Sequence, residues 1–243
     1  MMDATDRWPA VRAARTWVLE QAAPRAGSIV VDVGCGPGTF AGTARAAGAQ
    51  TIDIDRSAAM VTEARTRWKA ASPVRADITG LPIRDRAADL VHAERILQWC
   101  DEPDEALAEL RRIVRPGGLV AVTDTDWTTL AVASDDPSVT ARLAAAALRW
   151  VPNPTLAPSI PSRLRATGAT VAERTDLVTL DTWDPDDPAQ LDGPPGLPLR
   201  TIVTAVPLDQ RAVIAADVDA VATAAREGRF TAELTLVTAI ARF

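Results

Sequence analysis

The first half of the chain alternates short apolar, β-branched runs with stretches whose apolar residues recur every three or four positions. Ile29-Val30-Val31-Asp32-Val33 is a continuous apolar run with one charge near its end, the pattern of a strand buried on both faces of a parallel sheet. Asp6 and Pro9 can open a helix ahead of it, with Val11, Ala14, Val18 and Leu19 on one face. Thr51-Ile52-Asp53-Ile54 reads as a second strand, and Ser57 can cap a helix carrying Met60, Ala64 and Trp68. Short strands are expected at 73–76 and 88–93. The helix after Pro103 buries Leu107, Leu110 and Val114 and ends at Arg115-Pro116-Gly117-Gly118, and Leu119 to Thr123 forms the fifth strand. Strand–helix alternation of this kind predicts an α/β fold with a doubly wound parallel sheet.

The second half is less regular. A helix is expected over Ser138 to Trp150, then a break at Pro152, Pro154, Pro158 and Pro161. Ser162 to Thr167 reads as a short helix stopped by Gly168, and Ala169 to Leu180 as a strand. A helix through Val213, Val218 and Val221 leads to a last strand, Ala232 to Ala241. Residues 181–200 hold five prolines and five aspartates and read as a solvated surface loop in preference to an active-site lid.

Composition removes several function classes. A net charge of −6 and a pI near 4.9 argue against a phosphate-backbone binder, which needs a basic stripe, so no nucleic-acid partner is expected. No apolar run approaches the roughly 18 residues of a membrane span, and the start lacks the apolar core of a secretory signal. Two cysteines and one histidine make a disulfide framework or a His/Cys zinc site an improbable reading, and no metal is expected. A cytoplasmic protein, monomeric or homodimeric, is the expectation.

The segment that carries chemistry is Val30-Val31-Asp32-Val33-Gly34-Cys35-Gly36-Pro37-Gly38-Thr39. Its glycines let backbone pass close to a ligand at the carboxyl end of the first strand. Asp55 ends the next strand about 20 residues on, where a carboxylate can accept hydrogen bonds from both ribose hydroxyls of an adenosine. Thr39 stands where a dinucleotide fingerprint wants Gly or Ala, and Pro37 deletes an amide that a pyrophosphate would use. There is no tyrosine for a short-chain dehydrogenase, and Lys69 is far from any glycine loop that could make a P-loop. A nucleoside ligand without a pyrophosphate fits better.

These blocks resemble the UbiE-like (methyltransferase type 11) small-molecule branch of the class I S-adenosylmethionine (SAM)-dependent methyltransferases. VDVGCGPG is similar to that family's motif I, IDIDRSAAM to its VDLSPEM, RADITGLPIRDRAADLV to its GDAxxLPFxDxSFDLV, and AERILQW, RPGG and DTDW to its later blocks. Ala88 departs from the usual Phe, Asp124 from the usual Glu, and Thr125 from the usual Pro. The resemblance implies a Rossmann-like seven-stranded sheet with an antiparallel last strand. It also implies one methyltransferase domain over 1–243, with an N-terminal cap helix at 1–22 and a helical lid insertion at 127–168. SAM is the implied cofactor: Gly34, Cys35, Gly36 and Gly38 would hold its methionine part, Asp32 would order the loop, and Asp55 and Arg56 would meet the ribose. Met60 would touch the adenine, Asp77 would accept from its N6 amine with Ile78 alongside, and Ala93 would complete the pocket.

For the chemistry, His92 at the end of the fourth strand is either a general base or a hydrogen-bonded residue beside the core. Glu94, also a catalytic candidate, and Arg95 either position SAM's amino-acid end or the acceptor, or pair with each other. Asp124 and Asp126 end the fifth strand and either take a proton or bind a cationic substrate, or cap the next helix. Gln98 and Trp127 are expected to line the acceptor pocket, with Arg95, although a core anchor is the plainer role for any tryptophan. Cys35 reads as a small buried residue. The implied reaction is methyl transfer to an oxygen, nitrogen or carbon of a small acceptor, in secondary metabolism. Cyclisation or decarboxylation on a borrowed fold, or a silent SAM-binding subunit, are the alternatives.

Overall fold

The computed structural model describes residues 5–243, so the first four residues of the expected cap helix lie outside the described residues. Helix α1 spans Pro9–Ala22. Strand β1 (Ile29–Val33) leads through the glycine turn into α2 (Thr39–Ala46), and β2 (Gln50–Asp55) into α3 (Ala58–Arg67). Two residues, Val74–Arg75, form β3, and β4 (Ala88–Glu94) precedes α4 (Pro103–Ile113). Then come β5 (Val114–Val132), α5 (Pro137–Trp150), α6 (Ile160–Ala166), β6 (Thr170–Leu180), α7 (Leu199–Ile202), α8 (Leu208–Arg226) and β7 (Ala232–Arg242). The strands make one sheet in the order β3-β2-β1-β4-β5-β7-β6. β1 to β5 run parallel, and β7 lies antiparallel between β5 and β6.

The apolar runs of the parallel strands follow from burial on both faces, since successive residues of a strand point to opposite sides. Val30 and Leu90 pack with Val18 of α1 and Phe40 of α2 on one face. Val31, Val33, Val91 and Ala93 pack with Leu110 and Ile113 of α4 and Leu164 of α6 on the other. Pro9 and Pro137 sit in the first turns of their helices, where a missing N–H costs nothing. Ser57 accepts the Met60 amide at the start of α3, and Asp136 accepts the Ser138 amide at the start of α5. The last helical residue before Gly168 is Ala166, and the glycine takes a φ of 87° there.

Two expectations are corrected. The fifth strand begins at Val114 and runs on through Trp127 to Val132, so the helical part of the 127–168 segment starts only at Pro137. Its far end re-pairs with β7 after an irregularity between Asp126 and Ala131, where Asp126 accepts from the Thr128 amide and hydroxyl and folds the chain on itself. The proline-rich segment 181–198 lacks helix and strand, as expected, but it is not a solvated loop. Trp183 is 4% exposed and Leu197 is fully buried, both in a third apolar cluster with α5, α8 and Trp127. The Trp183 indole donates to the Gln190 carbonyl at 2.9 Å and meets the Phe230 ring edge-on at 5.7 Å. At the other end of the segment a Cβ on Gly196 would fall 2.4 Å from the Trp8 ring, so this loop is pressed against the entry to α1.

Trp183→Ala is therefore expected to lower stability by roughly 3–5 kcal/mol, the range for emptying a buried indole site. Urea denaturation checks it; a loss within about 0.5 kcal/mol would belong to a solvated loop instead.

Candidate active site

The glycine turn is built so that backbone stays uncovered at the carboxyl end of β1. The Cys35 amide donates to the Ile54 carbonyl at 2.9 Å, and the Gly36 amide to Asp55 Oδ2 at 2.9 Å. Gly34 has a φ of 68°, and a Cβ there would meet Ile96 at 2.4 Å, so both conformation and space demand glycine. Trp68, which ends the patterned face of α3, reaches back to donate its indole N–H to the Pro37 carbonyl at 3.0 Å. The Asp55 carboxylate is held by Gly36 on one oxygen and by the Ser57 amide at 2.8 Å on the other. Each oxygen keeps a lone pair for a further donor.

A cavity of about 440 Å³ opens at the carboxyl ends of β1, β2 and β4. Of the residues expected at a cofactor, Gly34, Gly36, Asp55, Arg56, Met60, Asp77 and Ile78 line it, and so do Glu94 and Arg95. Asp77 accepts from the Thr79 amide at 3.0 Å and hydroxyl at 2.9 Å, and these bonds hold its carboxyl below the usual range. Trp99 also lines the cavity and went unnoticed in the sequence. It belongs to a single tight helical turn, Leu97–Trp99, that buries Gln98 and leaves the next residue facing the cavity.

The remaining expected site residues stand elsewhere. Asp32, Cys35, Gly38 and Ala93 do not line the cavity but pack beneath or beside it. His92 is 1% exposed, stacked on Phe40 at 3.5 Å with its Nδ1 2.8 Å from Asp32 Oδ1. It sits inside the sheet layer, two residues below the strand end, and lines a small pocket beside the cavity with Gly34 and Glu94, not the cavity itself. Asp124 is fully buried and accepts from the amides of Gln98 at 3.0 Å and Thr125 at 3.1 Å. Burial pushes its carboxyl up to about 7, against those hydrogen bonds, and it too is shut off from the cavity.

Gln98 and Trp127, expected at an acceptor pocket, are bonded to each other: the indole donates to Gln98 Oε1 at 2.7 Å. The Gln98 carbonyl takes the Asn153 amide at 3.0 Å, and Asn153 Nδ2 donates to the Cys100 carbonyl at 2.6 Å. Gln98 thus fastens β5 and the segment after α5 to the cavity wall. Trp150 meets Trp99 and Trp127 edge-on at 4.8 and 5.7 Å and completes an aromatic partition behind that wall.

Glu94 ends β4 and is the centre of a buried ion cluster. Arg15 donates to both of its oxygens at 2.7 and 2.8 Å and to Asp6 at 2.7 Å. Burial alone would raise the Glu94 carboxyl, but Arg15 and Arg95 outweigh it and bring it down to about 2. Arg95 Nη2 lies 3.2 Å from Glu94 Oε1.

Residues 31–122 match the family described as methyltransferase domain. Over 106 residues the chain is 40% identical to the malonyl-[acyl-carrier protein] O-methyltransferase of Pseudescherichia vulneris, covering 44% of this chain and 42% of that one. Residues 31–122 thus carry the methyltransferase-domain signature. The chain spans about two fifths of the length of the curated relatives it matches. Among solved structures it is similar to the YcgJ protein of Bacillus subtilis, with a TM-score of 0.64, 16% identity, and 95% of this chain and 98% of that one covered. It is also similar to the [4+2]-cyclase SpnF, with a TM-score of 0.55, 20% identity, and 94% and 79% covered. These two likenesses show the fold. The matched methyltransferase domain implies SAM as the cofactor, and no helix among the described residues is long and apolar enough to cross a membrane.

The Asp124 carboxyl carries a pH dependence with a defined sign. Its folded-state pKa of about 7 lies above the unfolded value of 3.8, so the folded state holds the proton more tightly. That contribution to stability is complete below about pH 4 and is lost as pH rises through about 7, on the order of 4 kcal/mol in all. Asp124→Asn should flatten the stability profile across this window, as read from urea midpoints between pH 4 and 8.

Proposed function

We propose that the chain transfers a methyl group from SAM to an oxygen, nitrogen or carbon atom of a small-molecule acceptor, in secondary metabolism. The observation that carries this is the 440 Å³ cavity in which the glycine turn, Asp55 and Asp77 meet. Asp55 has spare lone pairs for two ribose hydroxyls, Asp77 and Ile78 stand where an adenine edge would be read, and Met60 offers an apolar side for the ring. The bare backbone of Gly34 and Gly36 and the charge of Glu94 suit the ammonium-bearing amino-acid end. When bound, the cofactor supplies an electrophilic methyl on a sulfonium.

What the protein adds is alignment in a water-poor pocket rather than proton removal. No histidine lines the cavity, and Glu94 and Asp77 are both held in their ionised forms by their partners. Cys100 lines it, but burial pushes its thiol up to about 11. An acceptor that reaches this pocket already ionised, or with enolate character, fits best. The O-methyltransferase name of the relatives supports an oxygen acceptor. In this reading α1 and the segment 127–168 serve as cap and lid, and the chain acts as a monomer or homodimer without nucleic acid.

Calorimetric titration of SAM and S-adenosylhomocysteine tests the reading. Wild type is expected to bind both in the micromolar range, and Asp55→Ala to lose on the order of 10- to 100-fold, the effect of removing hydrogen bonds to a charged group. Absence of binding to wild type would sink it. Product mass separates methylation from the cyclisation or decarboxylation reading, because only methylation adds one methylene.

A further inference from the structure

The donor fork of Arg95 is buried beside Glu94, 3.2 Å from its Nη2, without a hydrogen bond to it. Arg95 is the first residue after β4 and holds a φ of 56°, a conformation non-glycine residues seldom adopt. Its backbone is clamped on both sides, the amide donating to the Thr123 carbonyl at 2.7 Å and the carbonyl accepting from Gln98 Nε2 at 3.4 Å. The side chain is 10% exposed, lines the cofactor cavity, and places its guanidinium 5.8 Å from the Trp8 ring centre. Among the described residues Nε and Nη2 have no hydrogen-bond partner. The nearest carboxylate, Glu94, has both oxygens committed to Arg15. A permanently charged, nearly buried group with unused donors is costly unless a ligand completes it. The group that matches a planar fork is a planar anion.

We propose that Arg95 binds a carboxylate carried by the methyl acceptor, with the apolar body of that acceptor lying toward Trp8. This rests on the methyltransferase reading above and names the class of substrate that reading leaves open. Position argues for the acceptor as the source of the carboxylate. Asp55 and Asp77 mark the nucleoside end of the cavity, whereas Arg95 stands at the β4 end beside Trp8, itself pressed by Gly196. Trp8 and Gly196 both lie outside residues 31–122, the part shared with the family, where features peculiar to this chain's acceptor belong.

The test uses a panel of aryl and alkyl monocarboxylates, each paired with its own primary amide, titrated by tryptophan fluorescence into protein saturated with S-adenosylhomocysteine. At least one carboxylate is expected to bind wild type on the order of 10-fold more tightly than its amide, the discrimination set by a buried charged donor left unpaired. Arg95→Gln should erase that preference and leave SAM affinity essentially unchanged, and Arg95→Lys, which keeps the charge but not the fork, should retain part of it. If wild type binds SAM but prefers no carboxylate over its amide, the proposal is overturned and the methyltransferase reading stands. If Arg95→Gln loses SAM affinity together with the carboxylate preference, Arg95 holds the cofactor's own carboxylate and the proposal is overturned on that side. Failure of wild type to bind SAM at all removes the reading beneath it. The carboxylate–amide comparison in wild type decides the matter even where a variant does not fold.

Discussion

The fold hangs on how the backbone leaves β1. A strand at the centre of a parallel sheet must be followed by a turn, and here the turn is tied sideways to β2 by the Cys35 and Gly36 amides. Because these bonds run between neighbouring strand ends, they fix both the β1–β2 register and the orientation of Asp55 in one stroke. The glycine at 34 then lets Ile96, from the end of β4, approach the turn from the other side. Three strand ends are thereby held around an empty volume instead of collapsing into it, and the cofactor cavity is the space the turn refuses to fill.

Around that volume the charges fall into two neighbouring groups. Asp32 and His92 lie within the sheet layer, with the His92 ring stacked on Phe40. Glu94, Arg15, Asp6 and Arg95 lie one layer higher, at the cavity. His92 and Glu94 share a face of β4 two positions apart, the first within the sheet layer and the second at the strand end beside the cavity.

The parallel half of the sheet was legible because apolar runs, glycines and strand-ending acids coincide there; Gly34, Gly36 and Asp55 come together as their spacing implied, and Asp77 and Ile78 join them as the family resemblance implied. What escaped reading was orientation within short irregular pieces. The turn at Leu97–Trp99 is too short to show a period, so the choice between Gln98 and Trp99 as the cavity residue is made by Asp124 and Trp127, which hold Gln98 inward from 26 and 29 residues away. The burial of 181–198 was hidden for a related reason. Proline and aspartate signal the absence of helix and strand, but they say nothing about whether Trp183 and Leu197 between them find a core to join.

Gln98 also has a thermodynamic meaning. One side chain and its backbone fasten β5, the strand end at Arg95 and the segment at Asn153 to the wall of the cofactor cavity. The segment at Asn153 and the cavity wall therefore share one set of bonds. Any free energy that couples the two is reciprocal, so whatever loosens the segment at Asn153 loosens the wall and the reverse.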